Sequence, residues 1–126
     1  MQTLKDLVPS AKIEGQKVTL SLSDFHELVL PQISALKVDE VFYKARYPDV
    51  ALAIIKGEIK SAREHFLASG FLEGRFPCKP DLDEAWYLQT YPDVAEGIRR
   101  GAHKSALDHY IGAGHYEGRL PKRPSK

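Results

Sequence analysis

The sequence predicts a mainly α-helical protein: a small β-hairpin and a helix, then two tandem three-helix repeats of about 44 residues. Three observations lead to this fold class. The chain of 126 residues matches itself at an offset of 44 positions, and helix-starting and helix-ending residues recur at the same places in both copies. A short alternation of apolar and polar residues precedes the copies. The predicted segments are residues 1–37, 38–80 and 82–124.

The first segment, residues 1–37, lies outside the duplication. A tight turn is predicted about Gly15, and the residues from 18 to 22 alternate between apolar and polar as in a half-buried strand. Asp24 is predicted to open a helix that kinks or restarts at Pro31. A two-stranded ribbon is marginal alone, so the hairpin must either lie on the helical repeats or pair with another copy of itself. The second alternative makes a homodimer through residues 1–37.

The two copies, residues 38–80 and 82–124, align without a gap and share 20 identities in 43 positions. Unrelated sequences of average composition would share about two or three. The region is therefore an internal duplication. Its shared words are Asp-Glu-x-x-Tyr, Tyr-Pro-Asp-Val-Ala, Lys-Ser-Ala-x-x-His and Glu-Gly-Arg.

Each copy is predicted to fold as three short helices. Asp39 is the N-cap of the first helix, and Pro48 suits the first position of the second, which Gly57 closes. A capping box at Ser61 begins the third helix, and Gly70 ends it in left-handed geometry. The matching residues of the second copy are Asp83, Pro92, Gly101, Ser105 and Gly114. The positions predicted to face a core in the first copy are Val41, Phe42, Val50, Ile54, Ala62, Phe66 and Leu67.

The shared words resemble a repeat that occurs in many bacterial proteins as an accessory segment. The resemblance extends through the Ser-Ala-x-x-His-aromatic segment to Gly-x-x-Glu-Gly-Arg-x-Pro and covers about two thirds of the chain. Such repeats accompany glycosyltransferases and sulfotransferases of surface-polysaccharide pathways and occur in some large secreted proteins. The resemblance implies a non-catalytic module that serves bacterial envelope or polysaccharide assembly.

Composition argues against several classes of protein. The net charge is +1 and each segment is close to neutral, so no basic stripe favours nucleic acid. The short tail from Lys122 to Lys126 leaves a small nucleic-acid-contacting regulator as a second alternative. One cysteine, Cys78, cannot form an internal disulfide or a thiolate zinc site. The opening lacks a signal-peptide pattern and no apolar run could span a membrane, so a cytoplasmic protein without a membrane partner is predicted.

The histidines and arginines that recur in both copies are candidates for chemistry. His65 could act as an acid or base or as a ligand, and Arg75 could bind a phosphate or a sugar carboxylate. The alternatives are structural: His65 bonds within its own repeat, and Arg75 pairs with an acid such as Asp49. An enzyme seldom needs its catalytic group twice in one small domain. The sequence therefore predicts no catalysis, no cofactor and no metal site.

Tyrosine, tryptophan and arginine are typical of interaction sites, and the repeats are rich in them. The predicted binding residues are Tyr43, Tyr47, Arg75, Trp86, Tyr87, Tyr91 and Arg119. The predicted structural repeat positions are Asp49, His65, Gly70, Asp93, His109 and Gly114. The function predicted is a protein-interaction or adaptor module that self-associates, and the alternative is a carbohydrate-binding accessory module.

Overall fold

The computed structural model describes residues 3–125. Within this range the chain is mainly helical and carries a two-stranded antiparallel hairpin near its start, which confirms the predicted fold class. The chain divides into two compact units, Met1–Cys78 and Lys79–Lys126. Met1 and Gln2 of the opening and Lys126 of the basic tail lie outside the described residues.

The first unit begins with α1 (Leu4–Leu7), β1 (Lys12–Glu14), β2 (Lys17–Thr19) and α2 (Leu22–Ser34). The turn predicted about Gly15 is confirmed: Gly15 and Gln16 join the strands, with Gly15 at φ +62° and Gln16 at negative φ. Glycine at the first of two turn positions is typical of a type II′ turn, whose twist suits a hairpin. The register pairs Lys12 with Thr19, Ile13 with Val18 and Glu14 with Lys17.

The predicted half-burial of the second strand is wrong. Strand β2 ends at Thr19, both strands are exposed at every residue, and Leu22 already belongs to α2. The physical reason is that no described helix packs on the hairpin. Among the described helices and strands, β1 and β2 contact only each other.

Helix α2 starts earlier than predicted and runs through Pro31 without restarting there. Its N-cap is Ser21, whose side chain accepts from the backbone N–H of Asp24. The Asp24 carboxylate instead accepts from the backbone N–H of Ser10 at 2.9 Å and from its hydroxyl at 2.5 Å. This contact ties the start of α2 to the segment before the hairpin.

Helix α2 packs on the first repeat. Ile33 is buried, and Nε2 of His26 lies 2.6 Å from the carbonyl oxygen of Leu67. The Arg63 guanidinium donates to the carbonyl oxygen of Ser34 at 2.5 Å. These contacts hold both ends of α2, which explains why the helix continues through an exposed proline.

Three short helices form each repeat, as predicted. In the first unit they are α3 (Glu40–Arg46), α4 (Pro48–Ile55) and α5 (Ala62–His65), and α5 continues as a π-helical turn, Phe66–Gly70. In the second unit they are α6 (Glu84–Thr90), α7 (Pro92–Arg99) and α8 (Ala106–His109), followed by a π-helical turn, Tyr110–Gly114. The predicted N-caps Asp39, Ser61, Asp83 and Ser105 are confirmed. The prediction that Gly57 and Gly101 close the second helices is confirmed, and the structure places these glycines in the left-handed region, at φ +77° and +79°.

The capping box predicted at Ser61 is half formed. The Ser61 hydroxyl accepts from the backbone N–H of Glu64 at 3.0 Å. The carboxylate of Glu64 accepts from the backbone N–H of Lys60 at 2.7 Å. In a complete capping box Glu64 would accept from the N–H of Ser61 itself, and here it accepts from that of Lys60.

The core of the first repeat contains Tyr43, Val50, Ala62 and Phe66. The predicted inward position of Val41 is wrong, because 78% of this residue is exposed. Residues two apart on a helix point about 200° apart. The helix buries Tyr43 and therefore turns Val41 to solvent.

The predicted left-handed geometry of Gly70 and Gly114 is also wrong. Neither glycine has a positive φ, and both belong to the π-helical turns. The left-handed residues lie four positions further along, at Gly74 with φ +78° and Gly118 with φ +80°. Another cause must explain the glycines at 70 and 114.

Candidate functional site

A cluster of Tyr43, His65 and Gly70, in which His65 is half-buried, connects the first and third helices of repeat 1. The Tyr43 hydroxyl lies 2.9 Å from Nδ1 of His65, and Tyr43 has no exposed surface (0%). Nε2 of His65 lies 3.7 Å from a carboxylate oxygen of Glu73. Because that carboxylate favours a proton on Nε2, we assign the tyrosine as the donor to Nδ1.

The position of the tyrosine hydroxyl explains Gly70. A Cβ atom at residue 70 would lie 2.1 Å from the Tyr43 hydroxyl oxygen and 3.3 Å from Nδ1 of His65. A separation of 2.1 Å is impossible for non-bonded atoms, so the hydroxyl occupies the space that any side chain would need. Glycine is required here by close approach and not by backbone angle.

The second repeat builds the same cluster from Tyr87, His109 and Gly114. The Tyr87 hydroxyl lies 2.8 Å from Nδ1 of His109, and Nε2 of His109 lies 3.7 Å from the Glu117 carboxylate. A Cβ atom at residue 114 would lie 2.1 Å from the Tyr87 hydroxyl. The shared tyrosine, histidine and glycine of the two copies therefore form one recurring structural contact.

Burial shifts the pKa values of Tyr43, Tyr87 and His109. It raises the pKa of Tyr43 well above its ordinary value and raises the pKa of Tyr87 to about 12. Burial, together with the nearby His103 and Arg119, lowers the pKa of His109. The tyrosines keep their protons at neutral pH, and the folded state favours neutral His109.

The lowered pKa of His109 predicts a loss of stability on acidification. The unfolded pKa is about 6.5, so the unfolded state binds more protons below this value and the folded state is penalised. The contribution is fully present above the unfolded pKa and is lost as the pH falls from about 6.5 toward the folded pKa. Urea unfolding followed by the fluorescence of Trp86, the single tryptophan, measures this between about pH 7 and pH 5.

The matched variant for this measurement is His109→Gln, which removes the titrating group. We expect it to flatten the dependence of the unfolding free energy on pH in that window. Asp93 does not obscure the result, since its pKa is lowered to about 2 and its contribution is lost only below about pH 4. A slope that is the same in both proteins would contradict the assignment.

A second shared contact joins Arg75 to Asp49. The guanidinium donates to both carboxylate oxygens, at 2.9 and 2.8 Å, and lies 4.9 Å from the centre of the Tyr47 ring. Glu73 accepts from it at 3.2 Å. The Tyr47 hydroxyl accepts from the backbone N–H of Phe76 at 2.8 Å. The arginine therefore pairs with an acid of its own repeat, which is the structural alternative that the sequence indicates.

The second repeat reproduces this contact. Arg119 donates to Asp93 at 2.9 and 2.7 Å and lies 4.9 Å from the centre of the Tyr91 ring. The Tyr91 hydroxyl accepts from the backbone N–H of Leu120 at 2.9 Å. Hydrogen bonds from Arg119 are the main reason that the pKa of Asp93 is low.

The variant Arg75→Lys tests the planar contact. Lysine keeps the charge but loses the two-pronged bond to Asp49 and the stacking on Tyr47. Because Asp49 is 62% exposed and solvent screens the pair, we expect a loss of only about 1 kcal/mol in the free energy of unfolding. Urea unfolding followed by circular dichroism measures it, and an unchanged midpoint would show that charge alone suffices.

The predicted binding residues are thus mostly engaged inside their own repeats. Tyr43 and Tyr87 have no exposed surface, so a partner on the surface cannot contact either ring. Trp86 is half-buried, with its ring centre 6.3 Å from that of Tyr91 in an edge-to-face arrangement. Stacking of a sugar needs an exposed aromatic face. Among the described residues of the second unit, Tyr116 is the large aromatic side chain that is mostly open to solvent, at 62%.

Clusters of metal-ligating side chains and membrane-crossing helices are two features that the described residues lack. Residues 3–125 contain no group of three or more His, Cys, Asp or Glu side chains that could hold a metal ion. In the same range no helix is both long and apolar enough to cross a membrane. Every buried side-chain nitrogen or oxygen of this part of the chain has a hydrogen-bond partner. The protein itself satisfies the polar groups inside the repeats.

Glu40 has a role that the sequence analysis missed. Its carboxylate accepts from the backbone N–H groups of Ala62 at 2.8 Å and Arg63 at 3.0 Å. These are the first donors of α5, which lack partners within the helix. Glu40 therefore caps a helix that begins 22 residues later in the chain.

The largest concentration of exposed apolar side chains lies in the N-terminal segment. Eight of the fourteen exposed large apolar side chains of the described residues lie between positions 4 and 36, about a quarter of the chain. We call these eight the N-terminal apolar surface: Leu4, Leu7, Ile13, Val18, Leu22, Phe25, Leu28 and Leu36. Contiguous exposed apolar patches are typical of interaction sites.

Two parts of this surface are continuous. Leu22, Phe25 and Leu28 follow at intervals of three residues along one ridge of α2. Ile13 and Val18 are direct cross-strand neighbours and share one face of the hairpin.

No protein-family model, curated protein or solved structure matches this chain.

Proposed function

We propose that this chain is a non-catalytic protein-interaction module that self-associates through residues 1–37. The observation that carries the proposal is the N-terminal apolar surface, which the first unit leaves uncovered. Burying apolar area is the main driving force of association. Two copies that bring these surfaces together remove them from water.

The internal contacts of the repeats support a structural role for the shared words. The tyrosine and histidine of each copy bond to each other, and the arginine bonds to the aspartate. A catalytic group must reach its substrate, and Tyr43 and Tyr87 are fully covered. Each repeat is therefore held together by its own contacts, and repeat 1 carries the N-terminal segment on α2.

The cellular setting is part of the proposal. The likeness of the repeat to accessory segments of polysaccharide enzymes supports an adaptor role in bacterial envelope or polysaccharide assembly. Cys78 is a free, exposed thiol, which a reducing cytoplasm keeps unmodified. We therefore place the module in the cytoplasm.

The experiment compares two triple variants of the full chain by light scattering. The first, Ile13→Thr, Val18→Thr and Leu22→Gln, makes part of the N-terminal apolar surface polar. The second, Val41→Thr, Leu52→Gln and Ile55→Thr, makes equally exposed positions of repeat 1 polar. All six side chains are exposed, so neither variant opens a cavity.

We expect the unmodified chain and the repeat 1 variant to be dimeric, and the N-terminal variant to be monomeric at the same concentration. If the N-terminal variant is dimeric and the repeat 1 variant is monomeric, the interface lies in repeat 1. An unmodified chain that stays monomeric throughout the micromolar range would overturn self-association.

A further inference from the structure

Strand β1 has an edge that is ready to accept another strand. In a two-residue turn the carbonyl of Glu14 accepts from the N–H of Lys17, so these two residues form a hydrogen-bonded pair. Hydrogen-bonded and non-hydrogen-bonded pairs alternate along an antiparallel ladder. Ile13 and Val18 are therefore the non-hydrogen-bonded pair, and their N–H and C=O groups point outward. Within residues 3–125 no other backbone group bonds to them.

The sequence of β1 is complementary to itself. When two β1 strands run antiparallel with Ile13 opposite Ile13, Lys12 of each copy lies opposite Glu14 of the other. The outward groups of Ile13 then form the hydrogen-bonded pair, and the two Lys12–Glu14 pairs are non-hydrogen-bonded pairs. At such pairs the Cα atoms are only about 4.5 Å apart and the side chains approach most closely.

The other edge of the hairpin lacks this complementarity. Two β2 strands centred on Val18 would place Lys17 opposite Thr19, which gives no ion pair. Pairing of β1 with β2 of another copy would give one ion pair and leave an open edge on each molecule, which leads to an endless array. Only the pairing of β1 with β1 combines two ion pairs with a closed dimer.

The same pairing would stabilise the hairpin, which is only marginally stable when isolated. It produces a four-stranded antiparallel sheet in the order β2, β1, β1, β2, and three or more strands with an apolar face are what independent stability needs. Ile13 and Val18 of both copies lie on one face of that sheet. These residues are 64% and 58% exposed in the single chain.

We propose that a second copy of this chain docks on the outer edge of β1, antiparallel and centred on Ile13, with two reciprocal Lys12–Glu14 ion pairs. The inference rests on the proposed self-association and assigns it a strand, a register and a symmetry.

Two proline variants of the full chain distinguish the two edges. Ile13→Pro removes the outward N–H of β1, and Val18→Pro removes the outward N–H of β2, while both leave the ladder bonds inside the hairpin intact. By light scattering we expect Ile13→Pro to be monomeric and Val18→Pro to remain dimeric. The opposite result would overturn the assignment to β1.

A charge exchange tests the register, and it does not depend on a proline being tolerated. Lys12→Glu places a second carboxylate opposite Glu14 of the other copy, and Glu14→Lys places a second ammonium group opposite Lys12. Each variant alone is therefore expected to raise the dissociation constant at least about tenfold. A mixture of the two variants restores both ion pairs. An affinity-tagged Lys12→Glu chain should therefore capture the untagged Glu14→Lys chain but not another Lys12→Glu chain.

The outcomes separate this inference from the proposed function. If the unmodified chain is dimeric and neither the proline nor the charge variants change its dissociation constant, the β1 pairing is wrong. Self-association then occurs through another part of residues 1–37. If the unmodified chain is monomeric, both proposals fail. If the mixture of charge variants associates no better than each variant alone, the register centred on Ile13 is overturned.

Discussion

The Gly114→Ala substitution is expected to lower the free energy of unfolding of the second unit by about 3 kcal/mol. The new Cβ would lie 2.1 Å from the Tyr87 hydroxyl. The tyrosine must then move, which strains the packed core and breaks the buried bond to Nδ1 of His109. Urea unfolding followed by the fluorescence of Trp86 reports on this unit.

The π-helical turn itself offers the control. Gly112 lies two residues earlier, and a Cβ atom there would have nothing within 4 Å. Gly112→Ala is therefore expected to be neutral or to stabilise by up to about 1 kcal/mol, because alanine restricts the unfolded chain. Equal losses at residues 112 and 114 would show that close approach to Tyr87 is not the cause.

A double variant identifies the colliding atom. Tyr87→Phe alone loses the hydrogen bond to His109 and is expected to cost about 1–2 kcal/mol. Apart from the hydroxyl, the neighbours closest to a Cβ at residue 114 lie at 3.3 Å or beyond. Gly114→Ala combined with Tyr87→Phe should therefore cost much less than the sum of the two single variants. Simple additivity would contradict the explanation. The corresponding residues of repeat 1, Gly70 and Tyr43, are expected to behave alike.

The Glu40→Ala substitution is expected to cost about 2 kcal/mol in the first unit. It removes the acceptor of two N–H groups at the start of α5, and one of them belongs to the fully buried Ala62. Nothing else in the described structure accepts from these two donors. Hydrogen exchange of the Ala62 and Arg63 amides should accelerate, and urea unfolding followed by circular dichroism should give the loss in stability.

Two variants control for the loss of a charge. Glu40→Gln keeps one acceptor oxygen and is expected to lie between the unmodified protein and Glu40→Ala. Glu58→Ala removes an exposed carboxylate from the same unit and is expected to stay within about 0.5 kcal/mol of the unmodified protein. Unchanged amide exchange at Ala62 in Glu40→Ala would show that water replaces the carboxylate without cost.

Local signals were enough to predict most helix boundaries. Asp39 caps α3, Pro48 opens α4 and Gly57 closes it, because each of these residues acts on the backbone within one helical turn. The pairing of Arg75 with Asp49 was also within reach, since both recur at the same places in the two copies. Periodicity was less reliable on helices of seven or eight residues, where it assigned Val41 to the core in place of Tyr43.

The candidate interface was only partly predictable. The alternation of residues 18 to 22 indicated a hairpin but implied a buried face, whereas the folded chain leaves both strands exposed. Alternation records which side chains share a face and does not record whether anything covers that face. Only the structure shows that α2 docks on repeat 1, where His26 contacts Leu67 and Arg63 donates to Ser34, while β1 and β2 contact no other described element.

The duplication, the order of the helices and their caps can be read from the sequence alone, because these depend on residues close together in the chain. Packing between remote residues explains why the shared residues are shared. Gly70 is glycine because the hydroxyl of the remote Tyr43 needs its space, and Glu40 is acidic because α5 begins against its carboxylate. The tertiary structure decided that the exposed apolar surface lies before the repeats. Distances between remote residues are set by packing, and a linear pattern does not contain them.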